Sequence, residues 1–122
     1  MQQPFDEERP IFLQLKERLE EAILAGIYED ETQLPSITEL SVKLQINPAT
    51  ALKAINLLVE ENTAYKKRGV GMFVAQGATE RLKDKRRDEF YEAYVVRLVR
   101  EAERLGLTRE DLIKMLERGM EK

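Results

Sequence analysis

The chain of 122 residues contains no cysteine and no histidine. Without cysteine there is no disulfide framework, no zinc–thiolate site and no thiol nucleophile. Without histidine the commonest general base and the commonest transition-metal ligand are missing too. Tryptophan is absent, glycine and proline number only six and four, and no internal repeat or low-complexity tract occurs. No apolar run approaches the length of a membrane span. The start, Met1-Gln2-Gln3-Pro4-Phe5-Asp6, has neither a basic n-region nor an apolar h-region. These absences predict a soluble cytoplasmic protein that uses no metal or cofactor and is not an enzyme. An enzyme here would need paired carboxylates in a pocket, and the acidic residues fall at spacings typical of solvated helix faces.

What is present describes a globular chain. Hydrophobic residues make up 43% and charged residues 35%. The first figure supports a core, and the second, above the usual quarter, predicts long exposed helices. The net charge of −3 hides an asymmetry. Residues 1–35 carry three basic and nine acidic side chains, residues 36–74 five and three, and residues 75–122 twelve and eleven. A basic middle inside an acidic chain is compatible with phosphate contact, because what matters there is where the charge sits.

Apolar residues recur at Ile11, Phe12, Leu15, Leu19, Ala22 and Ile23. Spacings of three and four predict a helix over about 10–26, opened by Pro10 and stopped by Gly26. The polar stretch from Glu29 to Pro35 reads as a loop. Ser36, three residues before Glu39, forms a capping box for a short second helix with Ile37, Leu40 and Leu44 inward, ending near Gln45. Asn47-Pro48 starts a third helix, about 48–61, with Ala51, Ala54, Ile55 and Leu58 spaced for burial. The brief connection between the second and third helices fits a helix-turn-helix. Ala64–Lys67 and Met72–Ala75 then read as two strands around the turn Arg68-Gly69-Val70-Gly71. A helix-turn-helix followed by a basic hairpin is a winged helix-turn-helix.

From Thr79, read as a helix cap, the pattern becomes a long helix over about 80–105 ended by Gly106. Thr108 caps a last helix that carries Leu112, Ile113, Met115 and Leu116. The fold class is therefore mainly α with a small β-hairpin. Residues 1–76 form a winged helix-turn-helix domain and residues 77–122 a two-helix tail. Two helices are too few to bury their own apolar faces, so the tail needs a partner surface. Phe90, Tyr91, Tyr94, Val95, Leu98, Val99, Leu105, Leu112 and Leu116 are the candidates for dimerisation. The aromatic stripe Phe90, Tyr91 and Tyr94 also admits a ligand-pocket reading. At helical spacing, packing between subunits is the more economical one.

The order of residues from Pro10 to Val74 resembles the DNA-binding domain of the GntR family of bacterial transcription regulators. The resemblance rests on Pro10-Ile11-Phe12-Leu13-Gln14-Leu15, Ile23 with Gly26, Leu34-Pro35-Ser36-Ile37 and Glu39-Leu40. It continues through Asn47-Pro48-Ala49-Thr50, Lys53-Ala54, Leu58, Glu61, Lys67-Arg68-Gly69 and Gly71-Met72-Phe73-Val74. The Asn-Pro-x-Thr start and the short tail are similar to the YtrA-type branch. The chain departs from the family pattern at Thr38, Pro48 and Leu52, where arginine (or glutamine at 52) is common. It also lacks the loop glycine near Glu31-Thr32 and has Asn62 where glycine is frequent.

The resemblance implies a homodimeric repressor on a palindromic double-stranded operator, with the tail as dimerisation unit. Ser36 and Thr38 then stand at a helix start, where hydroxyls and free amides meet phosphate. Asn47, Ala49, Thr50 and Lys53 open the recognition helix, whose N-terminal residues reach base edges in the major groove. Lys66, Lys67, Arg68 and Gly69 form the wing, suited to phosphates and to a narrow minor groove. A membrane partner is excluded and a small-molecule effector is not indicated. The alternative is a winged helix that has lost DNA binding and serves as a protein–protein interaction module.

Overall fold

The computed structural model describes residues 4–121, so the reading of Met1–Gln3 falls outside the described residues. In chain order the elements are α1 (Ile11–Leu24), α2 (Ile37–Leu44), α3 (Pro48–Glu60), β1 (Ala64–Lys67), β2 (Gly71–Val74) and α4 (Ala78–Phe90). A π-helical turn (Tyr91–Val95), α5 (Val96–Leu105) and α6 (Arg109–Met120) follow. The chain divides into two compact units, one reaching Lys83 and the other starting at Asp84. Among the described residues no helix is long and apolar enough to cross a membrane.

In the first unit α3 is the hub. Its Ala51, Ala54, Ile55 and Leu58 are buried in one cluster with Leu15, Leu19 and Ile23 of α1, Leu40 of α2 and Val74 of β2. The two alanines let the neighbouring helices approach closely, and the larger side chains fill the space between them. Cutting any of Leu15, Leu19 or Leu58 back to alanine would cost about 2–5 kcal/mol. The chain ahead of α1 is stitched on by a buried amide: Gln14 accepts the Asp6 N–H at 2.8 Å and donates to the Asp6 and Arg9 carbonyls at 2.7 and 2.8 Å.

The helix boundaries follow the capping chemistry. Ser36 and Glu39 exchange reciprocal bonds at 3.0 Å, closing the capping box of α2. Gln45 ends α2 in the left-handed conformation, φ +54, and three residues later α3 begins. Asn62 turns the chain out of α3 at φ +61, a conformation asparagine tolerates better than most residues.

The stretch read as a loop is a loop, but it is tied to the hairpin: Glu31 N–H bonds to Val74 O, Val74 N–H to Thr32 O and Leu34 N–H to Met72 O, all at 2.8–2.9 Å, with Gln33 and Phe73 forming an isolated bridge. A polar stretch ending in proline carries no alternating pattern, so this pairing is visible only once β2 lies beside it. One sequence expectation is corrected, that of Thr79. The helix α4 starts one residue earlier, at Ala78, and Asp30 supplies the cap from far back in the chain. Its carboxylate accepts the Gly77 N–H at 2.7 Å, the Thr79 N–H at 3.2 Å and the Thr79 hydroxyl at 2.7 Å. Arg81 adds a bond to the Asn62 carbonyl at 2.6 Å, and Ala78 and Leu82 enter the core. The first turn of α4 is thus held to the first unit on three sides.

The strands pair antiparallel, Ala64 opposite Val74 through Lys67 opposite Gly71, and Tyr65 stacks on Phe73 with ring centroids 5.8 Å apart. In the second unit the expected single long α-helix is interrupted. The Val96 N–H reaches back five residues to the Tyr91 carbonyl, the signature of a π turn. An apolar stripe broad enough to cover both phases gives no hint of the added residue. Gly106, at φ +69, ends α5, and a Thr108–Asp111 capping box opens α6.

Candidate nucleic-acid interface

The surface around α3 is built from three elements. The N-terminus of α2 presents Ser36 and Thr38, both exposed. The Ser36 oxygen is engaged by the Glu39 N–H, and the Ser36 N–H holds the Glu39 carboxyl below its ordinary value. Glu39 is therefore ionised at this helix start, and an incoming phosphate would meet both the amides and a carboxylate. Asn47 caps α3 by accepting the Ala49 N–H at 2.8 Å, which occupies its carbonyl oxygen and leaves its amide to donate. Pro48 follows at the first helical position, where its missing N–H costs nothing.

Along α3 the exposed residues are Pro48, Ala49, Leu52, Lys53, Asn56 and Glu60; Ala49, Leu52, Asn56 and Glu60 follow one another at spacings of three and four, away from the buried stripe. Thr50 is half-buried at the flank. The Lys53 ammonium lies 4.0 Å from the Phe12 ring centroid, a cation–π contact that draws it toward α1. The sequence reading assigned DNA contact to Ala49, Thr50 and Lys53, and marked Leu52 only as a departure from the family pattern; the roughly 100° step of the helix puts Leu52 on the same open face.

The hairpin supplies the third element. Lys66, Lys67, Arg68 and Gly69 are all exposed, with Lys67 5.0 Å from the Phe73 ring centroid. Gly69, at φ +77, makes the tip. Gln33, in the loop bridged to Phe73, donates to the Val70 carbonyl at 3.0 Å and so pins the tip. A Cβ at Gly71 would stand 2.5 Å from that amide nitrogen, so glycine there is what lets Gln33 reach in. Between α3 and the hairpin runs a groove of about 400 Å³, with Gln33, Leu52, Asn56, Lys66 and Met72 on its walls. Among the described residues none of Lys53, Lys66, Lys67 and Arg68 joins an ion pair, whereas Lys16 on α1 meets Glu20 and Glu61. Four such cations thus border this face, in a chain of net charge −3.

The family model described as bacterial regulatory proteins, gntR family, matches residues 12–74. The chain belongs to the GntR family. It is accordingly a transcription regulator of the GntR type and not an enzyme. It is 27% identical over 116 residues to YhcF, an uncharacterised HTH-type transcriptional regulator of Bacillus subtilis (strain 168), with 93% of each chain covered. A GntR-family transcriptional regulator from Listeria monocytogenes is 28% identical, with a TM-score of 0.75 over 93% of this chain and 98% of that one. Both likenesses take in the tail. AraR(DBD), solved in complex with the operator ORX1, matches 62% of this chain and 92% of its own at 32% identity and a TM-score of 0.54.

The GntR tail presents a different surface. Phe90, Tyr91, Tyr94, Leu98, Val99, Leu105 and Leu116 are exposed, Tyr94 to 66% and Leu105 to 65%. Val95 and Leu112 are half-buried. Phe90 and Tyr94 lie with ring centroids 5.3 Å apart at the π turn. Of this unit's apolar side chains, Ala102 is buried.

Proposed function

We propose that the chain is a homodimeric repressor that binds a palindromic operator, with residues 1–76 as the DNA-binding domain and residues 77–122 as the dimerisation tail. The observation that carries the DNA-binding half is the set of unpaired cations flanking α3: Lys53 on one side and Lys66, Lys67 and Arg68 on the other. In this reading α3 enters the major groove, with Ala49 and the Thr50 methyl near base edges and the Asn47 amide donating. Ser36 and Thr38 lie against the backbone. The wing places Arg68, at its Gly69 tip, in the minor groove, while Lys66 and Lys67 meet phosphates. The resemblance of residues 10–74 to the family supports DNA binding by this domain, as does the likeness to AraR(DBD), solved in complex with an operator.

The dimer half rests on the tail. Exposed aromatic and aliphatic side chains of this density, on a unit with so few buried ones, call for a second copy. Two recognition helices must stand about 34–36 Å apart to meet successive major grooves on one face of DNA, and a tail-mediated dimer provides that separation. Repression follows by occlusion, since a dimer seated on a promoter excludes polymerase.

Selection of genomic fragments on the purified full-length protein, near physiological salt, tests the proposal. Enrichment of a palindromic site by wild type and its loss in Lys53→Ala/Arg68→Ala is the expected result. A folded dimer that enriches nothing would favour the protein–protein interaction module instead. Such a complex would show little of the steep weakening with salt that phosphate contacts impose.

A further inference from the structure

We infer that Leu52 is a specificity-determining residue whose side chain reads the methyl group of a thymine in the major groove. The inference rests on the DNA-binding reading above. Leu52 is 47% exposed and belongs neither to the core nor to the apolar residues packed against it, so the fold itself gives it no role. Its place is the middle of the outward face of α3, with Ala49 and Asn56 on either side along the helix. The one cation of that face, Lys53, is drawn to the α1 edge by Phe12. The remaining cations sit across the groove on the wing. The centre of the face therefore offers aliphatic surface and one amide, with charge only at its borders.

That pattern selects among the bases. In the major groove thymine alone presents a methyl group, whereas guanine is read most often by a bidentate arginine or lysine. A leucine at the centre has nothing to offer the guanine acceptors and would leave them without water. Against a thymine methyl the same side chain removes apolar surface from both partners. The flanking cations position the helix, and Leu52 discriminates.

The test uses the full-length protein and duplexes selected from a pool with a randomised centre. Each selected thymidine is replaced in turn by deoxyuridine, which removes only the methyl group. Symmetric positions should emerge at which wild type loses about fourfold in affinity per methyl. Leu52→Ala, which removes the contact from both half-sites of the homodimer, should bind the parent duplex about sixteenfold more weakly and no longer distinguish the two. Because Leu52 lies outside the core, this variant should melt like wild type. If wild type selects a site but no thymine methyl matters, or Leu52→Ala keeps the discrimination, the Leu52 inference falls and DNA binding stands. If folded wild type selects no duplex at all, both fall together.

Discussion

At the scale of single residues, the effects to separate are charge, caps and apolar contact. Lys66 is solvent-exposed and without an acidic partner among the described residues, so truncating it leaves the fold alone. Its loss is expected to cut operator affinity across all sequences and to flatten the slope of log K against log salt by about 0.9 per lost phosphate contact. Binding titrations at several salt concentrations give both numbers. Asp30 belongs to the other kind. The Thr79 hydroxyl, with help from the Gly77 and Thr79 N–H groups, holds its carboxyl below the ordinary value. A depressed carboxyl contributes stability that is present above its unfolded-state value and is lost as pH falls through the folded one. Asp30→Ala should therefore lower stability by about 1 kcal/mol at neutral pH, the usual worth of a cap. The gap to wild type should narrow as the pH drops below the normal aspartate range. Urea melts at neutral and acidic pH would reveal it, and a gap that stayed constant would show the bond to be unimportant.

Among the elements, the wing depends most on a partner it does not contain. Two four-residue strands are marginal alone, and the segment Glu31–Leu34 gives β2 a second neighbour through three backbone bonds. Gln33 extends the support to the tip at Val70. Gln33→Ala and Gly71→Ala should act in the same direction, because either one withdraws the amide from Val70, and Gly71→Ala should be the more damaging, since its φ of +148 is strained for any side chain. Both are expected to weaken operator binding through a looser wing while leaving the helical core intact. Amide exchange at Val70 and Met72 should rise in both variants, and protection at α1 and α3 should not. Part of this element was legible beforehand. Basic residues around paired glycines announce a hairpin, whereas the loop that pairs with β2 lies far upstream and shows no alternation.

For the whole molecule, the question is what holds two DNA-binding units at a fixed separation. The tail's exposed apolar surface is the proposed answer, and Leu98 lies within it at 40% exposure. Leu98→Glu would put a charge into the buried contact between subunits, where charge without a partner is costly. Sedimentation should show monomers, and binding to a palindromic site should fall far more than binding to a half-site. Monomers that keep full affinity for the palindrome would refute the mechanical role of the tail. The same variant should leave the first unit's thermal transition in place, since its core ends at Leu82.

Much of this was decided locally. The capping boxes at Ser36 and Thr108, the Asn47-Pro48 start, the buried stripe of α3 and the left-handed turn at Asn62 depend on residues within a few positions of one another. A sequence states such relations directly. The cap that Asp30 lends to α4, the pairing of Glu31–Leu34 with β2 and the pull of Phe12 on Lys53 join residues far apart in the chain or on different helices. Their chemistry is ordinary, but it exists only after hydrophobic burial has brought the groups together. So the sequence alone determined the helices, the hairpin and the family. The tertiary structure decided what borders the open face of α3, because only the packed fold brings Phe12 to Lys53 and the hairpin alongside Leu52 and Asn56.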